Sequence, residues 1–287
     1  MVSNQVKSEI LVNAIPYIQK YFGKIVVIKY GGSAMLKESL KNSVMEDIVL
    51  LNLIGVKVVL VHGGGPEING VLEKMGKESK FIDGLRYTDE ETIDIVQMVL
   101  SGKVNKDLVA LIEQLKGKAI GLCGIDNSMI KAKKISGVDL GYVGEVTEVN
   151  TKPILEILEN GHIPVIATLG IGENNKKYNI NADTAASKIA SSLGAENLIL
   201  LTDTLGILRD KEDDETLIEE IYLKDIDGLI EEGVVQGGMI PKIKCCEDAV
   251  KCGVKKAVIL DGRIEHSILV EMLTNEGVGT MVKKVKL

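Results

Sequence analysis

Residues 24–34, KIVVIKYGGSA, and residues 57–66, KVVLVHGGGP, each carry a β-branched apolar run straight into glycines. Runs this short and this uniformly apolar predict strands buried on both faces, and the glycines predict tight turns into helices. Between them MEDIVLLNLIG (45–55) has helical spacing and stops at Gly55, a usual place for a helix C-cap. A second helix is expected from near Pro66 to Gly76, with proline in its first turn. Thr88 and Glu91 stand in T-x-x-E spacing, which predicts a capping box opening a helix with Ile93, Ile95, Val96 and Val99. Further strands are expected at KAIGL (118–122), HIPVIA (162–167), NLILL (197–201) and KAVIL (256–260). Strands alternating with helices predict an α/β fold, a mainly parallel sheet with helices on both faces. The stretch 128–150, with glycines at 137, 141 and 144, breaks the rhythm and predicts a hairpin excursion.

The chain has 287 residues, 45% hydrophobic and 26% charged, which is a globular composition with enough material for one large or two ordinary domains. Its formal charge of −7 disfavours a broad nucleic-acid footprint. No apolar run approaches the roughly 20 residues a membrane helix needs, and the polar start MVSNQVKSEI has no signal-peptide core, so a cytoplasmic location is expected. The four cysteines, Cys123, Cys245, Cys246 and Cys252, form no C-x-x-C and predict reduced thiols. His62 and His162 sit at ends of apolar strands and are expected to be structural.

Three glycine clusters precede helices: Gly31-Gly32, Gly63-Gly64-Gly65 and Gly237-Gly238. Backbone N–H groups freed of side chains at a helix start attract anions, and two of the clusters have a lysine nearby, Lys29 and Lys242. Polyanion chemistry is the expectation. There is no Walker A sequence, no G-x-G-x-x-G, no G-x-S-x-G elbow and no metal-spaced histidine pair, so the phosphates must be held in another way.

The segments IKYGGSAM (28–35), VHGGGPEIN (61–69), GLRYTD (84–89), YNINADTAA (178–186), LLTDTLGIL (200–208), GGMIPKI (237–243) and HSILVEMLTNEGVGTM (266–281) together span nearly the whole chain. Their combination resembles the amino acid kinase family, in particular its members that phosphorylate N-acetyl-L-glutamate. The resemblance implies an open, mostly parallel three-layer αβα sandwich. It also implies an N-terminal helix (1–23) for oligomerisation and regulation, an acetylglutamate-binding and dimerisation lobe (24–180) and an ATP-binding lobe (181–287).

It further implies the site. Lys29 and Lys242 neutralise the transferring phosphoryl from opposite lobes, and Asp183 orients both. Gly64, Gly65, Arg86 and Asn179 hold the acyl substrate. Gly32 lies against the phosphoryl, and Thr202, Asp203, Gly206, Gly237 and Gly238 receive ATP, with Mg2+ carried largely by phosphates and water and no dedicated protein ligands. The residues make chemical sense in these roles. A γ-carboxylate with a pKa of roughly 4.3 is already ionised at neutral pH and requires no general base, so the burden falls on positioning and charge. Arginine grips a carboxylate with a planar fork that lysine lacks.

Leu11, Ile15, Ile18 and Phe22 follow helical spacing and predict an amphipathic N-terminal helix. Such a helix could simply cover its own subunit. By resemblance it instead interlaces dimers into a hexamer, a trimer of dimers, and L-arginine binds as a feedback inhibitor between this helix and a segment containing His266, Glu271 and Gly277. The competing expectations are another carboxylate kinase of this fold, of the glutamate 5-kinase, aspartokinase or aminoadipate kinase type, or a non-catalytic amino-acid sensor.

Overall fold

The apolar runs become strands and the segments between them become helices. A computed structural model describes residues 3–35 and 37–284. The chain begins with α1 (Asn4–Tyr21), β1 (Ile25–Tyr30), α2 (Glu38–Leu53), β2 (Lys57–His62) and α3 (Gly65–Lys74). A short hairpin, β3 (Phe81–Ile82) and β4 (Leu85–Arg86), leads to α4 (Glu90–Gln97), a π-helical turn (Met98–Val104) and α5 (Asn105–Gln114). Next come β5 (Ala119–Cys123), β6 (Ile130–Lys134), β7 (Val143–Val149), α6 (Lys152–Glu159), β8 (Ile163–Ala167), β9 (Leu169–Ile171) and β10 (Lys177–Ile180). The remainder is α7 (Ala182–Ser192), β11 (Asn197–Thr202), β12 (Glu220–Tyr222), α8 (Ile226–Glu231), α9 (Met239–Lys251), β13 (Lys256–Asp261), α10 (Ser267–Leu273) and β14 (Thr280–Lys283).

Eight strands form one sheet in the order β12-β14-β13-β11-β1-β2-β8-β5. Every neighbouring pair is parallel except β13 with β14. Side chains alternate across it. Val26, Ile28, Val58 and Leu60 enter a core closed by α2, α5 and α10, whereas Val27, Val59 and Val61 enter a second core closed by α6, α7 and α9. Each fully buried aliphatic contributes roughly 1.5–3 kcal/mol relative to exposure, which explains why the middles of the central strands, Val26–Ile28, Val58–Val61, Leu198–Leu201 and Ala257–Leu260, are wholly apolar. The expected boundary near residue 180 falls between β10 and α7, and the sheet crosses it unbroken through the β1–β11 pairing.

Two expectations change. The helix after GLRYT is capped by Asp89, whose carboxylate accepts from the Thr92 N–H at 2.8 Å, and Thr88 instead donates its hydroxyl to the Arg86 carbonyl. Asp89 offers the stronger acceptor one residue nearer the helix. The excursion at 128–150 does form a hairpin, β6 with β7, but β9 and β10 close it into a small barrel, a long-range pairing with no local signal. Along the expected N-terminal stripe, Leu11 and Ile15 of α1 and Phe22 at its C-cap are 72%, 47% and 68% exposed, Ile18 is half-buried and the neighbouring Tyr21 is buried. No helix among the described residues is long and apolar enough to cross a membrane.

Candidate active site

β1, β2 and β11 end side by side at one edge of the sheet, with Lys29 in register with Leu200 and with Val61. Ligands of open α/β sheets bind outside this carboxyl edge. Asn181 caps α7, its side-chain oxygen accepting from the N–H groups of Asp183 and Thr184 at 3.0 and 3.1 Å, and so sets Asp183 in the first turn. Lys242 lies in the first turn of α9. Lys29 Nζ is 2.9 Å from Asp183 Oδ1, and Lys242 Nζ is 2.7 Å from Asp183 Oδ2. Burial pushes the Asp183 carboxyl upward, but the two ammonium groups outweigh it and hold its pKa below the ordinary value. Two cations on one carboxylate leave a net positive charge at the edge of the sheet.

A cavity lies on either side of this triad. On the β2 side a cavity of about 230 Å³ is lined by Lys29, Gly32, Gly64, Gly65, Arg86 and Asn179. Arg86 is 7% exposed; its Nη1 donates to Ser79 Oγ at 2.7 Å, its Nη2 to the Gly65 carbonyl at 3.2 Å, and its guanidinium lies 4.7 Å from the centre of the Phe81 ring. Among the described residues no carboxylate pairs with Arg86, so a largely buried cation faces a cavity that can receive an anion. Asn179 donates to Thr88 Oγ at 3.2 Å, which ties β10 to the turn after Arg86.

On the β11 side a cavity of about 400 Å³ is lined by Thr202, Asp203, Gly206, Lys211, Gly238 and Lys242. Gly237 precedes this wall without lining it. The structure therefore brings together every residue expected at the reaction centre except Gly237. It also adds Phe81, Thr168, Thr204 and Lys211 to the walls. Phe81 had a readable signal: Asp83-Gly84, both with positive φ, is the turn of a two-residue hairpin that sets Phe81 opposite Arg86. The hydroxyl of Thr204 is buried without a partner among the described residues, and no local pattern announces it.

At the opposite edge of the sheet a third cavity, about 330 Å³, is lined by Lys20, Tyr21, Asn197, Lys256, Met281 and Lys283. Lys256 pairs with the buried Glu271 at 3.2 Å, and Gly277 lies against the same carboxylate. His266 is engaged elsewhere, its Nδ1 2.6 Å from Asp47 of α2. Burial of Asp47 lifts its carboxyl to about 6 in spite of the imidazole beside it.

A sequence profile of the amino acid kinase family matches residues 24–261. The chain belongs to the amino acid kinase family. Within it, the chain is 60% identical to the acetylglutamate kinase of Clostridium kluyveri, over 96% of this chain and 98% of that protein. It is 57% identical to the acetylglutamate kinase of Brachyspira hyodysenteriae, over 99% of each. Among solved structures, N-acetylglutamate synthase from Neisseria gonorrhoeae with coenzyme A and L-arginine superposes with a TM-score of 0.81 at 25% identity, over 97% of this chain. This chain spans 65% of the length of that synthase.

Proposed function

We propose that this member of the amino acid kinase family transfers the γ-phosphoryl of ATP to the side-chain carboxylate of N-acetylglutamate. The observation that carries the reading is the Lys29–Asp183–Lys242 triad between two cavities, one walled by a buried arginine that meets no carboxylate among the described residues and the other by glycines and Asp203. Relatives 57–60% identical over nearly their full length bear the acetylglutamate kinase name. In this reading Arg86 takes a carboxylate of the acyl substrate, and Asn179 with the N–H groups of Gly64 and Gly65 completes its seat. Residues 24–180 and 181–287 then act as the acyl and nucleotide lobes. Lys29 and Lys242 meet the phosphoryl from the two sides, and Asp183 keeps them apart and aimed, so catalysis is positioning plus electrostatic stabilisation.

Mg2+ would enter with the nucleotide. Among the described residues no three ligating side chains converge, while Asp203 offers one carboxylate oxygen donor on the cavity wall, a set that suits an ion held mainly by phosphate and water. The metal would screen phosphate charge. An ATP-dependent hydroxamate assay tests the activity: acetylglutamate should be consumed, and equal turnover of glutamate, aspartate or acetylaminoadipate would overturn the substrate assignment.

Regulation by L-arginine is part of the proposal. The exposed apolar face of α1 supports assembly through this helix into a hexamer, or a dimer without it, and the cavity beside Tyr21 supports an effector site. There Glu196 on the wall, with Glu271 behind it on Lys256, offers carboxylate oxygens for a guanidinium, and five lysines line the walls for a carboxylate. His266, held by Asp47, belongs to that site only as a neighbour of α10.

A further inference from the structure

His62 takes no part in the triad, yet it is fully buried beneath the glycine loop that ends β2. Its Nδ1 is 2.9 Å from the Gly63 carbonyl oxygen and its Nε2 is 3.1 Å from Asn105 Nδ2. The orientation of the Asn105 amide is fixed by its surroundings. Nδ2 also faces the carbonyls of Val165 and Leu122 at 2.8 and 3.2 Å, and Oδ1 accepts from Lys106 at 3.0 Å. An amide nitrogen only donates, so Nε2 accepts, and the ring proton sits on Nδ1 and donates to the Gly63 carbonyl.

The peptide joining Gly63 to Gly64 is trans and planar, so its C=O and its N–H point in opposite directions. Holding the Gly63 carbonyl down on the buried imidazole turns the Gly64 N–H away from it, towards the cavity shared with Arg86. The Gly63 N–H is spent on the Tyr30 carbonyl at 3.0 Å. Among the described residues the Gly64 N–H has no acceptor within the chain.

The π-helical turn supplies the rest of the support. A Cβ on Gly64 would stand 2.6 Å from Leu100 and 3.2 Å from Val104, both in that turn, so the loop rests directly on it. With i→i+5 bonding, Leu100 and Asn105 come onto one face; in α winding they would be about 140° apart. Asn105 then reaches across the sheet edge past Gly121, where a Cβ would be 2.0 Å from its Oδ1.

We propose that His62 and Asn105 are positioning residues that orient the Gly63–Gly64 peptide so that the Gly64 N–H is presented to the acyl substrate. The proposal rests on the acetylglutamate reading of the cavity. It also assigns the π turn its purpose, which is to bring the loop's apolar floor and its polar anchor onto the same face.

Nitrogen-15 NMR of the full chain labelled at its three histidines reads the tautomer directly. The expected result is a neutral His62 with its proton on Nδ1 at pH 7, and a proton on Nε2, or on both nitrogens, overturns the proposal. Kinetics adds a second test. His62→Asn keeps an amide N–H where Nδ1 stood, whereas His62→Gln places its N–H where Nε2 stood. The asparagine variant should keep the KM for acetylglutamate within about threefold, and the glutamine variant should raise it roughly ten- to hundredfold with the KM for ATP little changed. Equal acetylglutamate KM values for the two variants overturn the proposal, because a merely structural histidine would not separate them. Wild-type turnover of acetylglutamate, run in parallel, tests the substrate reading by itself; if the variants do not fold, the wild-type tautomer still decides.

Discussion

Asp183→Asn removes one negative charge and keeps the shape, leaving two ammonium groups facing a neutral amide. Each contact, at 2.9 and 2.7 Å, is worth roughly 6 kcal/mol gross at an effective dielectric of about 20. Desolvating three ions cancels much of that, and breaking such a buried pair from one side typically costs about 3–5 kcal/mol. The Lys242 side chain is 21% exposed and regains water in the variant, so the net loss should be about 2–3 kcal/mol. Over 287 residues the unfolding entropy is roughly 0.6 kcal/mol per kelvin, and the loss becomes a fall in Tm of about 3–5 °C. Thermal melts of the free protein check this value. A non-hydrolysable ATP analogue with Mg2+ should then raise the Tm of the variant more than that of the wild type, because phosphate oxygens replace the lost partner. In the hydroxamate assay kcat should fall roughly 10²–10³-fold, since the lysines are no longer aimed. A variant that melts and turns over like the wild type would refute the role given to Asp183.

Other perturbations separate the remaining parts. Lys29→Ala and Lys242→Ala should each lower kcat roughly 10²–10³-fold in protein that remains folded by circular dichroism; near-normal turnover would sink the two-cation mechanism. Arg86→Lys keeps the charge and loses the fork, so the KM for acetylglutamate should rise about tenfold or more with the KM for ATP within about threefold, in initial-rate assays. Burial holds His62 down to about 4, so the unfolded chain binds a proton that the folded chain refuses as pH falls from about 6.5 to 4. Stability in urea melts should fall through that window, with about 3 kcal/mol assignable to this group, and His62→Asn should flatten the slope. Removing residues 1–22 should leave an active dimer by light scattering that no longer responds to millimolar arginine; retained sensitivity would refute the regulatory role of α1.

The central strands were legible because the sheet is covered on both faces, which leaves runs such as IVVI and VVLV with no polar interruption. Lys29 and the glycines at 31–32 and 63–65 were legible for a related reason, being the first polar or small residues after those runs, whereas Lys242 follows no strand and was picked out by the Gly237-Gly238 pair that opens its helix. What escaped depends on distant partners. The closure of β9 and β10 onto β6 and β7 joins segments with no shared local pattern. The π turn carries Leu100 and Val104 against Gly64, a long-range contact that no spacing within 98–104 declares. The stripe on α1 was read correctly as a helix, but sequence spacing alone could not say whether its apolar face would be covered by its own subunit.

The position of β14 sets a timetable for the nascent chain. It inserts between β12 and β13, and the Thr280 hydroxyl accepts from the Ile207 N–H at 2.8 Å, anchoring the loop that lines the cavity beside β11. Thr280 is translated after every residue that lines this cavity, so on the ribosome β12 has no neighbour in the sheet until that late strand emerges. A chain released before residue 280 would carry both lysines, Asp183 and all three glycine clusters and still lack the hydroxyl that anchors this wall.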